Sequence, residues 1–546
     1  MLKTKKMYTR IFLVTIFILV FVNLSLIGNA EPERPFRGVF AWPPIIDPSV
    51  GLGNAAMNFQ VNAYDALVYP DENGNPEPHI AKKWDISEDG LVWTFHLREG
   101  IKFHDGSELT AEDVKFSMDR MIALEMGQSY LFLDRVTETE IIDDYTVAFK
   151  LKVPFGAFLD TLLQFFIINK DLVLENIEPN QEYGELGDYG QKYLNLNEAG
   201  SGPYRLKEFN TTAYYVLEQN PDYWIPFDPN CPDYWRAISS KTAIVAKTLL
   251  PKREIEIYSG GLPEETLAEL DQVEGIDLAR QVTGDIMYGM INNKKPPTDC
   301  IHVRKAMAWA TNYKVICDVL YGGVTQARGP ISSIIPGHDP TVFQYYFDLD
   351  KAMEEIKQSK YYGEFDKYPI AVHANTLLYA QEQICMMYKS DWGKLGLTVE
   401  VTNTPWQKIV EEMGSLESSA HLYMVSVSPG YSEAGSIFES RYTSQSVRSW
   451  EQNEWLEDPE LDKRIIDAVE TVNKDERFQK YSELQHYIVD LCPSLFLFER
   501  ADKFPYQSYY FDWPMADGDD YHKTGFNLAG RFMRIYPEKR LEILKK

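Results

Sequence analysis

Cysteine is scarce in this 546-residue chain. Cys231, Cys300, Cys317, Cys385 and Cys492 stand far apart and no two form a C-x-x-C, so zinc ribbons and thioredoxin-type redox motifs have no support. Their number is odd, which leaves at least one thiol without a partner in the chain. One disulfide stays open in an oxidising compartment, and the spacing does not choose it. Positive charge is short as well: 54 Lys and Arg stand against 81 Asp and Glu, for a net charge of −27. A nucleic-acid binder needs a basic face, so none is expected here; the acidity favours solubility and weak association with anionic surfaces, and a monomer is expected. Catalytic signatures are missing too. There is no G-x-S-x-G, no P-loop, no H-E-x-x-H and no Rossmann fingerprint. The nine histidines show no ligand spacing, so no metal and no cofactor are expected. The two carboxylates of a glycosidase need not be close in sequence, so a secreted hydrolase stands as an unsupported alternative.

Long apolar runs are absent except at the start. Lys3, Lys5, Lys6 and Arg10 precede an apolar run from Ile11 to Ile27, and Gly28-Asn29-Ala30 follows. That is the grammar of a signal peptide over residues 1–30. The other reading keeps the run as an anchor, though it is short for a spanning helix. No cysteine sits near the cleavage site to carry a lipid. The expected location is periplasmic or extracellular, with membrane contact through a permease complex.

What remains is ordinary for a globular protein: 45% hydrophobic and 25% charged residues. The length predicts roughly two to four compact units, and the pattern is mixed α and β throughout. Trp84 to Lys102 reads as a hairpin turning at Ser87-Glu88-Asp89-Gly90, with Leu91, Trp93, Phe95 and Leu97 on one face. Thr110 with Asp113 predicts a capped helix whose Val114, Ser117, Met118 and Met121 turn inward. Further on, a helix is expected from Val303 to Leu320. A strand over Ile370–Ala374, a helix from Tyr379 to about Lys394 and a strand at Leu397–Val401 suggest parallel pairing. Asp458 caps a helix with Leu461, Ile465, Ile466 and Val469 inward. A second helix carries Phe478, Tyr481, Leu484 and Ile488. Pro493–Phe498 reads as a buried strand. His104-Asp105-Gly106 and Asp71-Glu72-Asn73-Gly74-Asn75 are read as turns rather than as a general base or a calcium loop.

Four blocks together carry a family resemblance. The first is Tyr64-Asp65-Ala66-Leu67-Val68, Ile80-Ala81-Lys82-Lys83-Trp84, Trp93 to Gly100, Phe103-His104-Asp105-Gly106 and Leu109 to Val114. The second is Gly200-Ser201-Gly202-Pro203-Tyr204 with Asn220-Pro221-Asp222-Tyr223-Trp224. The third is Val303 to Ala310 with Gly322-Gly323 and Gly329-Pro330; the fourth is Asp475 to Ile488 with Cys492-Pro493-Ser494-Leu495. In order and spacing they resemble the family 5 extracellular solute-binding proteins, receptors of dipeptide, oligopeptide, nickel and oligosaccharide importers. The resemblance implies an α/β, two-lobe periplasmic-binding-protein fold with hinge crossover strands and an extra subdomain in the first lobe. By that analogy lobe one holds 31–290 and 499–546, with the extra subdomain at about 68–195, and lobe two holds 291–498. The crossovers fall near Met287–Asn292 and Leu495–Phe498.

The implied function is the substrate-binding component of an ABC importer, taking an oligopeptide or dipeptide to permease subunits in the membrane. An oligosaccharide is the rival cargo, and a chemoreceptor partner or folding helper on the same scaffold is a further reading. Expected ligand contacts are Trp42, Trp406, Ser428, Tyr431 and Glu433. The two tryptophans are weighed evenly against plain core packing. The segment Met424 to Gly435 bears most on ligand type. In peptide-binding relatives it is Asp-rich, and one aspartate holds the peptide ammonium. Here those aspartates are missing, and Glu433 or Gly430 stands at the matching place. If Glu433 does not reach the cleft, no acid of this stretch replaces the anchor.

Overall fold

The computed structural model describes residues 34–40, 44–179, 182–240, 242–376, 378–517 and 525–545. The segment read as a signal peptide lies outside the described residues, and so does Trp42.

Ten strands share one sheet, in the spatial order Val399–Thr404, Ile370–Asn375, Leu422–Val427, Asp277–Ile291, Ser494–Tyr506, Ile257–Ser259, Pro35–Phe40, Tyr234–Ser239, Tyr214–Gln219 and Tyr204–Asn210. Two long strands in the middle, of 15 and 13 residues, tie a first lobe at one end to a second lobe at the other. They pair antiparallel from Asp277↔Tyr506 to Met290↔Ser494. Both are longer than the crossovers anticipated from sequence, because each keeps pairing in both lobes. The register slips twice between them: from Val282↔Ala501 to Ile286↔Glu499, where the first strand carries the extra residues, and from Met287↔Phe498 to Tyr288↔Phe496, where the second does. Gly284 in the first bulge has φ +81°, a left-handed conformation that glycine adopts without a Cβ penalty.

In the second lobe, Ile370–Asn375 and Val399–Thr404 pair in parallel around helix Tyr379–Gly393, the strand–helix–strand unit expected from the alternation. The Pro493–Phe498 run is indeed buried, and from Ser494 on it belongs to strand Ser494–Tyr506. Two readings need correction. The helix expected from Val303 to Leu320 ends at Trp309 and restarts at Tyr313, because the Asn312 side chain caps the new turn by accepting from the Val315 N–H. Ile466 was placed inward, but it is 52% exposed. Leu461, Ile465 and Val469 already occupy the buried stripe of helix Pro459–Glu470, and Ile466 lies about 100° round from Ile465.

The extra subdomain of the first lobe is built on a four-stranded sheet in the order Ala81–Ile86, Val92–Leu97, Thr146–Leu151 and Val136–Asp143. Trp93, Phe95 and Leu97 are buried while Val92, Thr94 and His96 are half-exposed, the alternation that a one-sided sheet demands. Helix Ala111–Leu124 covers that face, opened by the Thr110–Asp113 capping box. Its Arg120 reaches Asp47 through two hydrogen bonds of 2.8 and 2.6 Å, both side chains fully buried, which fastens the subdomain to the rest of the lobe.

Candidate functional site

Strand direction decides where the lobes face each other. Pro35–Phe40 and Ile257–Ser259 run in parallel, so Phe40 and Ser259 end on the same edge of the first lobe. In the second lobe Val427 ends opposite Ile286, beside the bulge. Phe40 and Ser259 end beside the Ala501–Phe504 stretch, Val427 ends next to Asp285, and the chain leaving these strand ends lines a groove between the lobes. Ligands of open α/β sheets bind outside such carboxyl-terminal strand ends.

Two cavities occupy this groove. One, about 340 Å³, lies on the first-lobe wall among Phe40, Asn54, Asn58, Ser259, Asp502 and Lys503. The other, about 310 Å³, lies between the extra subdomain and the second lobe. Tyr130, Leu131 and Arg135 line it from the subdomain; Ser428, Gly430, Tyr431, Ser436, Glu439, Ser440 and Glu451 line it from the second lobe.

Between the cavities sits a charged floor. Arg500 donates to Asp285 at 3.1 Å and to Asp502 at 3.4 Å. Burial pushes the Asp285 carboxyl up, while Arg500 and a hydrogen bond from Ser428 pull against that. Lys503 is held by Glu264, with contacts of 3.0 and 2.8 Å.

Of the residues anticipated from sequence, Ser428 and Tyr431 come together on the wall of the second cavity. Tyr431 is buried, donates its hydroxyl to Glu439 at 2.8 Å and meets Phe155 edge-on. Trp406 starts helix Trp406–Met413, is half-buried, and packs edge-on against Trp450, next in the chain to Glu451. Glu433 is 1% exposed and already engaged. Arg477 donates to its two oxygens at 2.7 and 2.9 Å, and the Tyr481 hydroxyl adds a bond of 3.0 Å. Asp160 of the subdomain stands near this pair, its pKa pushed well up by burial and then by the Glu433 charge.

The residues that sequence reasoning missed come mostly from the extra subdomain. Tyr130, Arg135 and Gln164 are some 270 to 300 positions from the loop they touch. The Gly430 carbonyl accepts from Gln164 at 3.1 Å and weakly from Tyr130 at 3.5 Å, and the Gly430 N–H donates to the Ser436 hydroxyl oxygen at 2.6 Å. Among the described residues no group of three or more His, Cys, Asp and Glu is placed to hold a metal ion. His104 belongs to the scaffold, bonded to Glu198 at 2.7 Å and to the Gly202 carbonyl at 2.9 Å.

Comparison with known proteins agrees with this architecture. A probable D,D-dipeptide-binding periplasmic protein of Escherichia coli is 27% identical over 479 residues, covering 85% of this chain and 88% of that protein. The dipeptide-binding protein of the same organism is 25% identical over 478 residues, covering 82% and 84%. Among solved structures, an ABC transporter substrate-binding protein from Listeria monocytogenes superposes with a TM-score of 0.76 at 21% identity, covering 92% of this chain and 99% of that one. A periplasmic murein tripeptide-binding protein in its unliganded open form gives 0.76 at 19% identity, covering 93% and 98%. The model of the bacterial extracellular solute-binding proteins, family 5 (middle), matches residues 75–449. Sheet, crossovers, subdomain and this match lead to one statement: the chain belongs to the family 5 extracellular solute-binding proteins.

Proposed function

We propose that this protein is the extracytoplasmic receptor of an ABC importer and that it binds a dipeptide or short oligopeptide in the groove between its lobes. The observation that carries the reading is the groove itself. Strand ends of both lobes lead into it, two cavities lie along it, and two long paired strands join the lobes behind it. The related proteins named for dipeptides support the cargo class. Binding shifts an open–closed equilibrium toward the closed form, which then docks on membrane permease subunits. The family is one of substrate carriers, and we assign the chain no reaction. Among the described residues no helix is long and apolar enough to cross a membrane, which fits a receptor that meets its permease at the surface.

A second reading, oligosaccharide cargo, has one observation in its favour: Glu433, the acid of the Met424–Gly435 stretch, is buried and held by Arg477. Native mass spectrometry of the purified protein separates the two. Retained mass in amino-acid increments supports the peptide reading; hexose increments overturn it. Turnover of either class of compound overturns the receptor reading as a whole.

A further inference from the structure

A cationic group entering this groove calls for a negative partner, and Glu433, the acid of the Met424–Gly435 stretch, is buried against Arg477. Position 430 has little room for a side chain in its place. A Cβ built on Gly430 stands 3.0 Å from the Tyr130 hydroxyl oxygen, 3.1 Å from its ring and 3.5 Å from the Ser436 hydroxyl. The other acids near the groove are spoken for. Glu433 is held by Arg477, Glu439 by Arg135, Asp285 by Arg500 and Glu264 by Lys503.

Glu451 is the exception on the cavity wall. It is half-buried and lines the same cavity as Ser428 and Tyr431. Among the described residues no Lys, Arg or His pairs with its carboxylate. The nearby Arg441 is committed to Glu454, and it donates its Nε to the backbone carbonyl of Glu451, not to the carboxylate. Ser440 supplies a hydrogen bond, which leaves acceptor capacity over. Burial holds the Glu451 carboxyl above the usual range, with Ser440 and Arg441 only partly offsetting it. Tyr130 faces it across the cavity and is pushed up to about 12 by burial and then by the Glu451 charge. A carboxylate without a counter-ion in a closing cavity is costly, and a cationic guest removes that cost with a charge-assisted hydrogen bond. The Tyr130 ring offers such a cation an aromatic surface on the opposite wall.

We infer that Glu451 is the cation-binding residue of this receptor, receiving an ammonium or guanidinium group of the ligand in the cavity between the extra subdomain and the second lobe. The inference rests on the peptide-receptor reading for its cargo, and on geometry alone for the charge. The cation comes either from the peptide N-terminus or from a basic side chain.

The test is calorimetric titration of wild type and Glu451→Gln with five probes: trialanine, N-acetyl-trialanine, N-acetylated Ala-Lys-Ala, agmatine and maltotriose. Wild type is expected to bind a cationic probe at least about tenfold more tightly than N-acetyl-trialanine, and Glu451→Gln to erase the difference. Preference for trialanine assigns the terminal ammonium; preference for the lysine peptide assigns the side chain. If agmatine binds through Glu451 and no peptide does, the peptide reading falls and Glu451 stands. Equal affinity for trialanine, the acetylated lysine peptide and N-acetyl-trialanine sinks Glu451 and leaves the peptide reading intact. Retention of the preference in Glu451→Gln, binding of maltotriose alone, or binding of none of the five also overturns it.

Discussion

The guanidinium of Arg135 holds Glu439 with one nitrogen 2.8 Å from both carboxylate oxygens, so the extra subdomain grips the second lobe directly. The same guanidinium lies 3.8 Å over the Phe155 ring, and Phe155 in turn meets Tyr431. Hydrogen bonds to charged groups contribute about 1.5–3 kcal/mol. Replacing Arg135 by Leu is therefore expected to weaken ligand binding roughly tenfold, read by titration calorimetry. It should also expand the ligand-free protein in small-angle scattering. Unchanged affinity and dimensions would show that the grip adds nothing.

Glu433 and Arg477 form a buried pair, and removing one charge strands the other. Glu433→Gln is expected to lower stability by about 3–5 kcal/mol in urea unfolding. Because the pair lies behind the cavity wall, peptide and glycan probes should lose affinity alike. Selective loss of free-amine peptides with unchanged stability would return Glu433 to the ligand.

Asp47 and Arg120 make the corresponding test in the first lobe. Both side chains are fully buried, so Asp47→Ala should cost about 3–5 kcal/mol of unfolding free energy. A cost below about 1 kcal/mol, the range of exposed pairs, would contradict the described burial.

Gly284 tests the bulge. At φ +81° a side chain is strained, and its Cβ would lie 3.1 Å from Ile335. Gly284→Ala should destabilise the protein by about 1–2 kcal/mol and alter ligand-induced compaction in scattering. A variant with wild-type stability and wild-type compaction would move the hinge elsewhere.

His104 supplies the pH dependence. Both ring nitrogens face acceptors, Glu198 and the Gly202 carbonyl, which is the environment of an imidazolium. Burial opposes that charge, but Glu198 and the hydrogen bonds outweigh it and hold the pKa above its ordinary 6.5. A folded pKa above the unfolded one gives stability that is complete below the unfolded value and fades as pH rises through the folded value. The urea midpoint should therefore fall as pH rises above about 6.5, and His104→Gln should flatten that slope. An identical slope in the variant would assign the effect to other groups.

Much of the scaffold was legible because its signals are local. The capping box at Thr110–Asp113 lies within four residues, the Asp89-Gly90 turn sits inside the hairpin it closes, and a period of two marks Trp93, Phe95 and Leu97. The site was less legible because it is assembled from far apart. Nothing in the stretch around Glu433 reveals that Arg477, 44 residues on, absorbs its charge. Nothing near Gly430 reveals that Tyr130, 300 residues back, fills the space beside it. Ser428 and Tyr431 were singled out through the family resemblance, which bears on Met424 to Gly435; the strand Leu422–Val427 that leads into them was not read from the sequence. Ile466 misled because an apolar residue on a half-exposed helix satisfies the same periodicity whether it sits at the rim or in the stripe.

Since a single hydrogen-bonded sheet passes from one lobe into the other, the two halves are not free bodies on a string. Sliding one past the other would break ladder bonds along both long strands, whereas flexing at a bulge breaks few. The ladder is interrupted at only two places, Val282/Ile286 and Met287/Tyr288, so bending is easiest there. Any relative movement of the lobes is thereby tied to bending of these two shared strands.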